Sequence, residues 1–210
     1  MKIQLINHAS VKIFTGDCVI LTDPWFSGST FNNGWSLICK NNISDHEILN
    51  KVNYIWISHE HPDHFDVQFF KRNFEHIIQK GIVVLFQETL DKRVIKFLNS
   101  LKILVQEIKN NISTNIIGNT SIIISKAGYY DSMLFVDNKK VKILNTNDCD
   151  VKDFDISKTI LNKFKNCDLL LTQFSYAAWK GNESNKHARI QAAKEKLLSI
   201  KKQYNLFAPK

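Results

Sequence analysis

Short apolar runs separated by turn residues open the chain, and runs with helical spacing take over after residue 45. Lys2–Ile6, Ser10–Phe14 and Cys18–Leu21 read as three strands, with Thr15-Gly16-Asp17 as a hairpin turn between the last two. From Val67 to Ile78 the apolar positions recur at helical spacing, which predicts a helix over 66–79 that Gly81 stops. Further helices are expected at 45–50, 88–100, 155–164 and from Ser184 to about Gln203. Apolar runs predict strands at 54–58, 82–86, 103–107, 120–125, 132–137, 141–146 and 168–172, with Asp137-Asn138 turning between two of them. The stretch from Pro24 to about Asn42 has neither period. It is rich in Ser, Asn, Gly and aromatics, and too long for an ordinary turn. Strands and helices in this order fit an α/β arrangement of two sheets packed together with helices outside.

Composition narrows the class. With 210 residues, 44% of them hydrophobic, the chain suits one domain over 1–210 with a sizeable core. No stretch reads as a transmembrane span, and the first residues lack a signal-peptide apolar region. The four cysteines (Cys18, Cys39, Cys149, Cys167) show no Cys-x-x-Cys spacing, so reduced thiols in a cytoplasmic protein are expected. The formal charge of +8 favours an anionic partner such as a sugar phosphate or sugar nucleotide. The lysines are scattered, several of them on the last helix, and no arginine-rich, aromatic-interleaved stripe is present. Nucleic acid is therefore not an expected partner. Oligomeric state has no marker in the chain.

The densest chemistry lies at His59-Glu60-His61-Pro62-Asp63-His64, directly after the apolar run Tyr54–Ser58. On an extended backbone His59 and His61 project to one side and can grip one ion together. Pro62 keeps His61 out of the helical region, and Asp63 and His64 follow in the turn before the next helix. Imidazole and carboxylate donors suit zinc, iron or manganese, and Asp63 with His64 can serve a second ion. Asp63 is also a candidate to orient a water or relay its proton.

His-x-His-x-Asp-His after a strand resembles the metallo-β-lactamase fold superfamily. The resemblance implies a four-layer αββα sandwich and a metal-dependent hydrolase with one or two zinc ions, iron and manganese being alternatives. It makes Asp148, at the end of Val141–Asp148, a metal-bridging carboxylate, with Asn147 where the superfamily usually has Gly. Three stretches are similar to a subset containing ascorbate phosphate lactonases, N-acyl phosphatidylethanolamine phospholipase D enzymes and CMP-N-acetylneuraminate hydroxylase. They are Asp23-Pro24-Trp25-Phe26 with Gly34-Trp35, Leu144–Cys149 and Leu171–Ser175. His8-Ala9-Ser10 resembles a Gly-His-Ala-Ser stretch of that subset, leaving His8 as a pocket residue or a structural histidine. Asp23 is either an acceptor that fixes a ligating histidine or part of an Asp-Pro turn. Trp25 and Trp35 belong to a lid over the metal or to a satellite core.

The hydroxylase also has a Rieske module needing paired Cys and His ligands, a set this chain does not contain, so hydroxylation is not carried over. Two ligands of the superfamily are also missing. No His lies between His76 and Asp148, so Asp131 or a neighbouring tyrosine substitutes, or the first metal site is incomplete. The only later His is His187, on the last helix. A degenerate binding module, or an iron protein acting with a separate electron-transfer partner, are the alternative readings. Leu206–Lys210 reads as the start of another strand, so a truncated chain lacking closing strands is expected.

Overall fold

Period-two burial organises the molecule, as a computed structural model shows for residues 1–176 and 179–210. In β3 (Val19–Thr22), Val19 and Leu21 face one core while Ile20 faces another; in β10 (Ser121–Ala127), Ile122 and Ile124 face opposite to Ile123. Both sheets are thus apolar on two faces, which requires cover on each side.

The first sheet has six strands in the order β1 (Lys2–Asn7), β2 (Ser10–Phe14), β3, β6 (Tyr54–Trp56), β7 (Val83–Gln87) and β8 (Val105–Ile108). β1, β2 and β3 are antiparallel; β3, β6, β7 and β8 run parallel. The second sheet follows the order β13 (Leu169–Leu171), β12 (Lys142–Asn145), β11 (Asp131–Asp137), β10 and β9 (Thr114–Asn115). Between the sheets lie Ile13, Ile20, Trp56 and Leu85 from the first and Ile122, Ile124, Leu134, Val136 and Ile143 from the second. The outer face of the first sheet is covered by α1 (Asp45–Leu49), α2 (Val67–Gln79) and α3 (Arg93–Ser100), through Phe69, Phe70, Ile77 and Leu98. The outer face of the second is covered by α4 (Lys158–Phe164) and α5 (Lys186–Phe207), through Ile160, Phe164 and Phe207. The result is the four-layer αββα sandwich.

Local signals set the boundaries. Asp66 caps α2 by accepting from Gln68 N–H at 2.8 Å, and Ser44 with Glu47 forms a capping box on α1. Three expectations need correction. The helix expected over 88–100 begins only at Arg93, because Glu88 still pairs its N–H with the Ile108 carbonyl at the sheet edge. The aromatic segment contains a two-residue hairpin, β4 (Ser29–Thr30) with β5 (Trp35–Ser36). Leu206 and Phe207 continue α5 rather than start a strand, because Phe207 is fully buried against Phe135 and Phe154. Among the described residues, no helix is long and apolar enough to cross a membrane.

Candidate metal centre

The topology brings the candidate residues to one rim. The C-terminal ends of β3, β6 and β12 meet there with the start of β11 and the β1–β2 turn, which carry Asp23, the 58–64 loop, Asp148, Asp131 and His8 respectively. The parallel register Thr22↔Trp56 sets Asp23 beside the chain leaving β6, and Asp23 N–H donates to the Trp56 carbonyl at 2.9 Å.

Hydrogen bonds fix the two buried imidazoles. The Asp23 carboxylate accepts from Ser58 N–H at 2.8 Å, from the Ser58 hydroxyl at 2.8 Å and from His64 Nδ1 at 3.1 Å. With its proton given to Asp23, the Ser58 hydroxyl can only accept from His59 Nδ1, 3.0 Å away, and from Asn147 Nδ2. Both rings therefore carry a proton on Nδ1 and turn Nε2 into the cluster, as a lone pair on neutral His59 and, on His64, as a lone pair once its second proton is displaced. One carboxylate orients both, acting on His64 directly and on His59 through Ser58. His59 Nε2 lies 2.8 Å from His61 Nδ1. His64 Nε2 lies 3.3 Å from Asp63 Oδ2 and 3.5 Å from Asp148 Oδ2. Yet His64 Nε2 and Asp63 Oδ1 are buried with no hydrogen-bond partner among the described residues. Asp131 Oδ1 is 3.4 Å from His59 Nδ1, the nitrogen turned away from the cluster, and His8 Nε2 is 3.1 Å from Asp63 Oδ2.

The charges are tightly coupled. Burial, reinforced by His64, lowers the His59 imidazole to about 3, so it is neutral at physiological pH. Burial opposes protonation of His64 as well, but Asp148, Asp23 and Asp63 pull it well above the ordinary value. Burial would raise Asp63, but His64 and His8 hold it far below the usual carboxylate range. Asp148 is lowered because His64 outweighs burial, whereas burial pushes Asp23 up against the pull of His64 and Ser58. Burial and then the neighbouring Asp148 push Asp131 up to about 6. The cluster calls for positive charge between its carboxylates. In the ion-free protein a proton on His64 supplies it, and a divalent cation would compete with that proton.

These residues fit a metal. Among the described residues, two sets of three ligand atoms lie mutually within 4.8 Å: His8, Asp63 and His64, and His59, His64 and Asp148. The Cys149 thiol packs in the outer core of the second sheet, and burial raises it well above its usual value. His187 is exposed in the first turn of α5. Trp25 is buried edge-on to His8 at 5.1 Å, while half-buried Trp35 approaches His8 at 6.3 Å and Phe31 at 5.3 Å. Phe31 in turn reaches His61 at 6.1 Å. The aromatic segment is therefore a wall of the cluster, although its Phe26 joins the helix-side core.

Sequence reasoning missed Ser58, which has no property of its own beyond adjacency to the motif, and Gln203. The Gln203 Oε1 accepts from the Thr146 and Thr172 hydroxyls at 2.8 and 2.7 Å, and its Nε2 donates to the Cys149 carbonyl at 2.9 Å. It thereby clamps the loop that holds Asp148. Asn147 has φ 49°, a left-handed conformation that Gly or Asn adopts most readily, which explains Asn in place of Gly.

Comparison with known proteins agrees with this architecture. The family profile described as the beta-lactamase superfamily domain matches residues 2–159. A Mycolicibacterium smegmatis protein described as a Rieske 2Fe-2S iron-sulfur protein is 28% identical over 191 residues, covering 85% of this chain and 35% of its own length. Cytidine monophosphate-N-acetylneuraminic acid hydroxylase from Xenopus laevis is 28% identical over 157 residues, covering 71% of this chain and 26% of its own length. The chain thus spans about a third or less of the length of these relatives. Among solved structures, the CmlA beta-hydroxylase E377D mutant superposes with a TM-score of 0.63 at 16% identity, covering 99% of this chain and 44% of that one.

Proposed function

The chain belongs to the beta-lactamase superfamily, and from that premise we propose that it is a single-domain metal-binding module of an enzyme acting on a small anionic molecule. One observation carries the proposal: His59, His64 and Asp148, and likewise His8, Asp63 and His64, offer ligand atoms mutually within 4.8 Å, with His61 Nδ1 2.8 Å from His59 Nε2 and with His64 Nε2 and Asp63 Oδ1 buried and unpartnered among the described residues. His59, His61 and Asp131 would hold one ion and Asp63 and His64 a second, with Asp148 shared. A bound ion supplies Lewis acidity toward water or a substrate oxygen, and iron adds one-electron redox chemistry. This chain's own residues orient the donors through Asp23 and Ser58, and offer Asp63 as an ionised carboxylate able to orient a water. A cavity of about 550 Å³, lined by Trp25, Phe31, Pro62 and Arg72 among others, adjoins the aromatic wall and the 58–64 loop, although none of the candidate ligands lines it.

Hydroxylation is the favoured chemistry. Two histidines with a carboxylate suit non-haem iron, and the relatives at 28% identity include a sugar-nucleotide hydroxylase. Dioxygen would supply the oxygen atom, its second atom leaving as water, and the two electrons would come from an iron–sulfur centre outside these 210 residues, since among the described residues Cys18, Cys149 and Cys167 are buried as free thiols and Cys39 is exposed alone. Free thiols also suit the cytoplasm. Hydrolysis is the second reading, favoured because a centre of this kind needs no electron donor to activate water.

Metal content after reconstitution with iron, manganese or zinc separates the two. Bound iron with reductant-dependent hydroxylation of a sugar nucleotide supports the first. Two zinc ions with turnover of a lactone or phosphodiester support the second. Metal content unchanged in His59→Ala and His61→Ala would sink the site assignment.

A further inference from the structure

We propose that His8 is itself a metal ligand, completing the second metal position with Asp63, His64 and Asp148. The inference rests on the metal-centre reading above and deepens it. Three separations among these donors are 3.1 Å (His8 Nε2 to Asp63 Oδ2), 3.3 Å (His64 Nε2 to Asp63 Oδ2) and 3.5 Å (His64 Nε2 to Asp148 Oδ2). Ligand atoms about 2.0–2.1 Å from a tetrahedral ion lie about 3.3–3.5 Å apart, close to these separations; His8, Asp63 and His64 offer atoms mutually within 4.8 Å, and Asp148, outside that set, would join them from beside His64. Independently, His64 Nε2 is buried here without a hydrogen-bond partner among the described residues, as is the other Asp63 oxygen, Oδ1, on side chains only 1% and 5% exposed. His8, with a side chain 31% exposed, closes the shell from the solvent side.

The backbone holds His8 in place for this purpose. His8 and Ala9 form the two-residue turn between Asn7 and Ser10, and His8 has φ 47° at its first position, where glycine is the preferred residue. A side chain kept at a glycine position costs conformational energy that an imidazole directed at Asp63 explains. The turn is tied down on both sides. Asn7 Nδ2 donates to the Cys39 carbonyl and to Asn41 Oδ1, while the Ser10 hydroxyl donates to the Thr22 carbonyl and the Thr22 hydroxyl to the Ala9 carbonyl. Trp25 and Trp35 meet the ring edge-on and limit its rotation. A ligand brought on so firmly held a turn is pre-organised, so little ordering remains for the ion to impose.

A simple hydrogen bond from His8 to Asp63 is the competing role, and two substitutions separate the two. His8→Asn suits the left-handed turn and can still donate to Asp63, but is a poor ligand for a transition metal. His8→Cys replaces one ligand by another whose binding has its own optical signature. Each variant is titrated with Co(II) in the full chain, with stoichiometry read by plasma mass spectrometry and binding by absorption. The wild type should take two equivalents. His8→Asn should keep the first and lose more than 100-fold in affinity for the second, beyond the roughly 10–100-fold that an outer-shell partner contributes. His8→Cys should show a sulfur-to-cobalt charge-transfer band absent from the wild type. Two tight equivalents in His8→Asn, or no such band in His8→Cys, would overturn the assignment. If those results come with metal loss in His59→Ala, only the role of His8 fails; if the wild type binds no metal, the whole centre fails with it.

Discussion

Replacing Asp23 by Asn tests whether one buried carboxylate orients both histidines. Asn is close to Asp in shape and tolerates the φ of 37° at this position, so the substitution isolates charge and hydrogen bonding from backbone strain. Its amide oxygen can still accept from Ser58, but its NH₂ group meets the Nδ1–H of His64, donor against donor. His64 would move its proton to Nε2, directly into the metal position between Asp63 and Asp148. Loss of such an outer-shell partner lowers metal affinity by about 10–100-fold, or roughly 1.4–2.8 kcal/mol. At an ion concentration about 100 times the wild-type Kd, one site stabilises the fold by about 2.7 kcal/mol; a hundredfold weaker site retains only about 0.4 kcal/mol. For a domain of this size that difference lowers the metal-induced rise in Tm by roughly 5–9 °C. Calorimetric scans with and without metal check it, the metal-induced rise of each variant being measured from its own ion-free Tm. Asp23→Ala is the contrast: it orphans the Ser58 N–H and hydroxyl, at about 1–3 kcal/mol each, and should lower the ion-free Tm as well. A full metal-induced rise in Asp23→Asn would refute the orienting role.

Further perturbations probe charge, clamp and core. In the ion-free protein Asp131 is raised to about 6, above its unfolded value, so the native state is penalised once this group ionises and stability falls as pH rises from about 4 through 6. Asp131→Asn should therefore match the wild type below about pH 4 and exceed it by about 1–2 kcal/mol above pH 6, allowing for partial solvent screening; parallel stability curves across that window would contradict the cause assigned to the shift. Gln203→Leu removes three hydrogen bonds of about 1 kcal/mol each, so urea unfolding should show a loss of about 2–3 kcal/mol, and a neutral result would mean that α5 does not clamp the Asp148 loop. Trp56→Ala should cost about 3–5 kcal/mol, because its fully buried indole fills the space between the sheets; a smaller loss on denaturation would show that the space collapses.

What the chain reveals on inspection is what its local periods encode. The strands from β1 to β3 and from β10 to β12 are legible because alternate residues serve different cores, and α2 is legible because its buried residues share one face. The two-residue strands β4, β5 and β9 are too short to show a period. The end of α5 was misread because Leu206 and Phe207 look like strand residues until Phe135 and Phe154 are seen to receive Phe207. The site divides in the same way. His59, His61, Asp63 and His64 are close in sequence, so spacing alone gathers them.

His8, Asp23, Asp131 and Asp148 converge only because β3 and β6 run parallel while β11 runs antiparallel to β12. That arrangement puts two strand exits, one strand start and one hairpin turn on the same rim. A pairing direction is a tertiary property, so no window of sequence contains it. Backbone conformation supplies a second signal. His8, Asp23 and Asn147 all adopt positive φ, and all three lie against the histidine cluster. Left-handed residues with side chains are costly where glycine would serve. They are three of twelve such non-glycine residues among the described ones, so positive φ alone does not single out the cluster; what distinguishes these three is that each side chain meets a donor of the cluster, including that of His8, whose role spacing alone left open.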